Sequence, residues 1–132
     1  MAIIDKLAWI ELQHGRILST RSKGRHKYYI PGGKREPGET DFMALAREIK
    51  EELSVDLKEK EARYVGTFQA QADAHPDGVE VKMTCYNAAF SGSIAAAHEI
   101  EEVVWLSYAD REKVSLVDQL IFDWLHQKGM LL

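Results

Sequence analysis

Between Thr40 and Leu53 the apolar residues Phe42, Leu45, Ile49 and Leu53 recur at steps of three or four, which predicts one amphipathic helix over that span. Leu116 to Leu125 repeats the pattern through Leu116, Leu120, Ile121, Trp124 and Leu125 and predicts a closing helix. The remaining apolar positions read as strands. Ala2 to Glu11 is rich in Ile, Leu and Trp, and the turn-forming His14-Gly15 pair leads into a second short strand, Arg16 to Arg21, so that a hairpin opens the fold. Tyr28 to Ile30 reads as a strand that Pro31-Gly32-Gly33 breaks, because Pro lacks an amide donor and paired Gly permits close backbone approach. Tyr64 to Ala72 and Val79 to Phe90 carry β-branched and aromatic residues on either side of the turn segment Asp73 to Gly78. Ser91 to Ala97 reads as a loop and Val103 to Leu106 as a short strand. Strands before, between and after two helices, with no linker or repeat, predict a mixed α/β domain whose sheet is sandwiched by helices.

At 132 residues the chain has room for one domain, residues 1–132. The net charge of −4 argues against a generic nucleic-acid coat or a polybasic membrane anchor, so an anionic partner requires a local basic patch. The one dense basic stretch is Ser22 to Lys27, with Lys23, Arg25, His26 and Lys27 around Gly24. A lone Cys85 permits neither an intrachain disulfide nor a Cys-rich zinc site and suggests a reducing compartment, with the cytoplasm as the expected location. No run approaches the ~18 apolar residues of a membrane-spanning helix, so no membrane partner is expected.

The first helix carries an anomaly. At about 100° per residue, Glu48, Glu51 and Glu52 fall within one arc of roughly 100° beside the apolar stripe. Like charges at i and i+4 cost a few tenths of a kcal/mol in an isolated helix, and Glu51 adds to the repulsion. Two readings stay open for this ridge: a solvated acidic face, or a seat for a hard divalent cation that gathers carboxylate oxygens and takes further ligands from phosphates. Arg47, four residues before Glu51, can pair with that carboxylate and steer it.

The segment from Gly33 through Glu39 to Arg47-Glu48-Ile49-Lys50-Glu51-Glu52-Leu53-Ser54-Val55 spans 23 residues and closely resembles the signature of the Nudix hydrolase family. The resemblance implies a Nudix-like α/β/α sandwich with a mixed β-sheet, a loop-helix-loop that binds Mg²⁺ or Mn²⁺, and hydrolysis of a nucleoside diphosphate linked to another group. It further implies Glu48, Glu51 and Glu52 as metal ligands, the Gly33 carbonyl as another, and Arg47 and Glu39 as the groups that orient the carboxylates. The general base is implied to be Glu48 or a Glu from a later loop, for which Glu99, Glu101 and Glu102 are candidates. Ser54 stands where the family usually has Gly, which bears on the helix exit because a left-handed C-cap costs a residue with a Cβ roughly 1 kcal/mol.

The substrate follows by elimination. Nudix enzymes for ADP-ribose or dinucleoside polyphosphates commonly carry a Pro or Tyr marker past the signature, where this chain has Phe68-Gln69-Ala70-Gln71-Ala72. A nucleoside triphosphate, normal or oxidised, cleaved to monophosphate and pyrophosphate is the leading expectation, with no nucleic-acid polymer as partner. Another diphosphate such as a nucleotide sugar, or a nucleotide sensor without turnover, are the alternatives. Oligomeric state, a homodimer included, is left open.

Outside the signature, Arg21 and Lys34 sit where side chains could reach phosphates, Arg with bidentate contacts and Lys as a point charge. Lys23, Arg25 and Lys27 read instead as a solvated loop, and Tyr28, Tyr29 and Phe68 as core aromatics before base-stacking groups. Asp73, His75, Asp77 and Gly78 imitate the start of a calcium loop, but Thr84 stands where that pattern needs a bidentate Glu. The five histidines show no paired metal spacing and read as surface residues, and Cys85 as a small buried hydrophobe.

Overall fold

A computed structural model describes residues 2–132. Its order is β1 (Ala2–Trp9), β2 (Leu12–Gln13), β3 (Arg16–Ser22), β4 (Gly32–Lys34), α1 (Asp41–Leu53), β5 (Asp56–Leu57), β6 (Arg63–Gln71), β7 (Val79–Asn87), β8 (Phe90–Ser91), β9 (Ile100–Leu106) and α2 (Leu116–Gln127), with 3₁₀ turns at Glu59–Glu61 and Tyr108–Lys113. β4-β1-β7-β6 form a mixed four-stranded sheet, in which β1 runs parallel to β7 and antiparallel to β4. β2-β3-β9 form an antiparallel sheet, and β5-β8 a two-stranded ribbon.

Two apolar clusters flank this framework. Leu45, Ile49 and Leu53 of α1 pack with Leu7, Trp9 and Leu18, while Val117, Ile121, Phe122 and Leu125 of α2 pack with Ala8, Val81, Met83 and Cys85. The alternation of β1 side chains explains the division, since Leu7 and Trp9 face one cluster and Ala8 and Ile10 the other. A mixed α/β fold with a helix on each side follows, as the sequence pattern predicts.

α1 begins where Thr40 Oγ1 accepts the Met43 amide at 3.2 Å, an N-cap that satisfies one orphan donor. It ends at Ser54 in the left-handed conformation, φ 67° and ψ 20°, so the exit expected of Gly is kept by Ser. Ser54 Oγ donates to the Ala95 carbonyl at 3.2 Å, and its N–H to that of Lys50 at 3.1 Å.

One expected strand is misplaced. Tyr28 and Tyr29 make only isolated bridges, to Val114 and Thr20, and the strand begins where a break is predicted, at Gly32. Gly32–Lys34 pairs with Ala8, Leu7 and Lys6, and this tertiary pairing overrides the local preference of Gly-Gly for a turn. β7 ends at Asn87 rather than Phe90, and β9 begins at Ile100 rather than Val103. All five histidines are exposed and Cys85 is fully buried.

Candidate active site

α1 and β4 meet at the signature. A Cβ on Gly33 would collide with the Glu48 carboxyl group, so glycine at this position is what lets that carboxylate lie against the β4 backbone. The Gly32 amide donates to Glu52 Oε1 at 3.3 Å. Burial pushes the Glu52 carboxyl up to about 8 against that hydrogen bond, and the charges of Glu48, Glu99 and Glu51 push it the same way. Burial also raises Glu48, opposed by Arg47 and reinforced by Glu51 and Glu99.

Arg47 organises the approach to these groups. Its guanidinium grips both oxygens of Glu39, at 2.8 and 2.9 Å, and donates to Glu48 Oε1 and the Lys34 carbonyl, each at 3.1 Å. It also lies 3.3 Å from Glu36. The expected pairing with Glu51 is not among these contacts; Glu51 is exposed, because Glu39 and Glu48 draw the guanidinium toward β4 instead. Glu39 is in turn held down at about 2, chiefly by Arg47 and then by the Glu36 amide.

A cleft of about 450 Å³ opens beside this network and takes Gly32, Gly33, Lys34, Glu48, Glu52 and Glu99 into its wall. The register of β1 gives its long axis. Leu7 pairs with Gly33 at the carboxylate end, while Ile4 pairs with Val81 beside the β6–β7 loop, three residues or on the order of 10 Å away. That far region is lined by Ile4 and Val81 and edged by Tyr29, Asp73 and His75, with Met83, opposite Lys6, between the two ends. Lys23 and Arg25, expected in a solvated loop, also line the cleft, and the Lys23 amide donates to the Glu99 carbonyl at 2.8 Å.

Arg21 occupies a different place. It lies 2.6 Å from Glu101 and 3.1 Å from Glu102, and it donates to the Arg25 carbonyl at 3.1 Å. Tyr28 OH donates to the same Glu102 oxygen at 2.8 Å. Of the three late carboxylates, Glu99 therefore lines the cleft, while Glu101 and Glu102 of β9 are bound to Arg21 of β3.

Asp118 of α2 has no counterpart in the sequence reading. It is fully buried, its Oδ2 accepts the Ile30 amide at 2.9 Å, and its Oδ1 has no partner among the described residues. Burial pushes it up to about 7. Its neighbours Ile30, Ser115 and Val117 line the cleft. A signal was present: Asp118 is a lone carboxylate on the face that Val117, Ile121 and Leu125 bury.

Glu48 and Glu52 fit a divalent cation by chemistry, being hard oxygen donors pressed together in a cleft where their repulsion and burial disfavour the metal-free anions. Among the described residues no three such side chains are already gathered into a coordination shell. No helix is long and apolar enough to cross a membrane.

The NUDIX domain family model matches residues 7–125. A CTP pyrophosphohydrolase from Escherichia coli K12 is 27% identical over 111 residues, covering 81% of this chain and 78% of that protein. Among solved structures, the E. coli ORF135 protein superposes with a TM-score of 0.75 at 25% identity, covering 96% of this chain and 91% of its own. A MutT NUDIX hydrolase from Burkholderia pseudomallei shares the fold with a TM-score of 0.77 at 24% identity, over 93% and 98% of the two chains.

Proposed function

The chain belongs to the Nudix family and is a Nudix-type pyrophosphohydrolase, and from that premise we propose that it hydrolyses a nucleoside triphosphate to monophosphate and pyrophosphate. The observation that carries the reading is one cleft with carboxylates at one end and the apolar Ile4 and Val81 at the other. Nudix hydrolases generally need a divalent metal ion, and here Glu48, Glu52 and the exposed Glu51, with the Gly33 carbonyl, would hold Mg²⁺ or Mn²⁺. Such an ion supplies a charge clamp for the diphosphate and a more acidic water. Arg47 and Glu39 keep the Glu48 carboxylate turned to the cleft, Lys23, Arg25 and Lys34 offer charge to the phosphates, and Glu99 is the late-loop carboxylate suited to take a proton from water. With Glu101 and Glu102 as its partners, Arg21 supports the loop that carries Lys23 and Arg25 and is not itself a phosphate ligand in this reading.

The E. coli relative acts on CTP by its name, which makes CTP the first substrate to try. The test is release of phosphate or pyrophosphate over a panel of nucleoside triphosphates, their oxidised forms and nucleotide sugars, with and without Mg²⁺. Pyrophosphate release that requires metal and disappears in Glu99→Gln and Glu52→Gln is expected. Binding without turnover of any member would favour a sensor instead.

A further inference from the structure

The far end of the cleft contains a polar assembly that the hydrolytic chemistry does not use. Asp73 accepts the Tyr29 hydroxyl on Oδ2 at 3.1 Å and lies 3.2 Å from Lys27 Nζ on Oδ1, so one carboxylate joins the β6–β7 loop to the segment before β4. Asp73 and Tyr29 both line the cleft. Resting on the nucleotide-hydrolase reading above, we propose that Asp73 determines base specificity, with Tyr29 and Lys27 as its positioning residues, and selects nucleobases that present an exocyclic amino group.

Three observations carry this. Asp73 is held in place before any ligand arrives: the Ala72 amide donates to the Val79 carbonyl at 2.8 Å, and Gln71 Nε2 donates to the Pro76 carbonyl at 2.9 Å while its Oε1 accepts the Gly78 amide at 3.2 Å. Gln71, which also lines the cleft and can both donate and accept, is spent on that loop. Second, an ionised carboxylate accepts at about four lone-pair sites, of which Tyr29 and Lys27 take two, so Asp73 keeps acceptor capacity and no donor. Third, Asp118 behind Ile30 is fully buried and does not line the cleft, so Asp73 is the carboxylate that this end of the pocket presents. A base amino group meets such a wall with a hydrogen bond, whereas a carbonyl oxygen at the same position meets a carboxylate and is rejected.

CTP and UTP isolate the effect, because at the 4 position they differ by an amino group against an oxygen at nearly equal size; ATP and ITP repeat it for purines. We expect kcat/KM to favour CTP over UTP by tenfold or more in the wild type and by no more than about threefold in Asp73→Asn, which is nearly isosteric and can donate. Tyr29→Phe should lower the ratio partway by releasing the carboxylate, with folding checked by circular dichroism. Competition binding of the α,β-methylene analogues of CTP and UTP reads the same ratio without turnover. A wild type that binds the two analogues unequally, with the preference lost in Asp73→Asn, supports the specificity role even if neither nucleotide is hydrolysed, an outcome that would sink only the hydrolase reading. Equal binding of the analogues by the wild type, or a preference unchanged in folded Asp73→Asn, would overturn the proposal.

Discussion

Arg47 and Glu39 meet as a fork: Nε lies 2.8 Å from Oε2 and Nη2 2.9 Å from Oε1, with Glu39 only 14% exposed. The pairing leaves Nη1 aimed at Glu48, so Glu39 acts on the cleft through Arg47. Arg47→Lys keeps the charge and loses the fork, and it should lower turnover or metal affinity roughly 10- to 100-fold, as is usual when a group orienting a ligand is removed. Mg²⁺ titration of the initial rate measures this. Because Glu39 is held below its ordinary range, its contribution to stability is present above about 4.5 and lost as pH falls toward about 2, a loss that acid melts of Glu39→Gln should lack.

Glu52→Gln should separate stability from function. Its carboxyl is raised mainly by burial, so the amide removes a cost and the metal-free variant should melt no lower than wild type. Metal at a hundredfold excess over Kd adds about 2.7 kcal/mol to a folded protein, roughly 10 °C in a domain of this size. Wild type should show that rise in calorimetric melts and Glu52→Gln should lose most of it; equal Mg²⁺-induced shifts in both proteins would dismiss the metal seat.

Adjacent glycines should fail differently. A Cβ on Gly32 would be driven into the Leu7 carbonyl oxygen at a backbone φ of 150°, whereas one on Gly33 meets only the Glu48 carboxyl group. Gly32→Ala should therefore cost about 3 kcal/mol or more in denaturant melts, and Gly33→Ala should stay folded while turnover falls by about 100-fold or more.

Asp118, buried behind the cleft wall at Ile30, supplies a pH signature. Its folded value of about 7 lies above the ordinary carboxylate value, so folding favours the protonated form. The sign follows: its contribution is fully present below about pH 4 and declines as pH rises toward 7. The charged groups bearing on it are Lys6 of β1 and Asp73 of the β6–β7 loop, with Tyr29 and Cys85 nearby. Asp118→Asn should gain stability relative to wild type between pH 4 and 7, by a few kcal/mol at most. Urea melts at both pH values test it, and a difference independent of pH would remove the carboxyl group from the explanation.

What the sequence revealed depended on whether the cause was local. The helix α1 was legible because its apolar repeat, its Thr40 cap and its carboxylates lie in one short window. β4 was not, since Gly32-Gly33-Lys34 has no strand pattern and becomes a strand only by pairing with β1. Its place at a strand end makes Arg21 look like a phosphate ligand; its partners Glu101 and Glu102 are 80 and 81 positions away, beyond any local pattern. The place of Lys23 and Arg25 at the cleft is not legible, because a basic loop without apolar residues looks the same whether or not it borders a cleft. Asp118 was available as a polar residue on an apolar helix face, but its partner amide at Ile30 is supplied only by the tertiary fold.

The parallel union of β1 with β7 bears on the order in which the chain assembles. The Asn87 side chain reaches the Ile10 carbonyl across 77 positions, and every rung between these strands spans a similar loop. The β6–β7 hairpin closes only a short turn, so its loop-closure entropy is small and it can form early, on the microsecond scale of hairpins. β1 meets β7 only across that long loop, whereas its pairing with β4, Leu7 with Gly33, needs no later strand. The cleft is thus complete only once β7 has formed, and a nascent chain leaves the β7-facing edge of β1 unpaired until 77 residues have followed Trp9 as far as Tyr86, which makes that edge of β1 exposed to aggregation during synthesis.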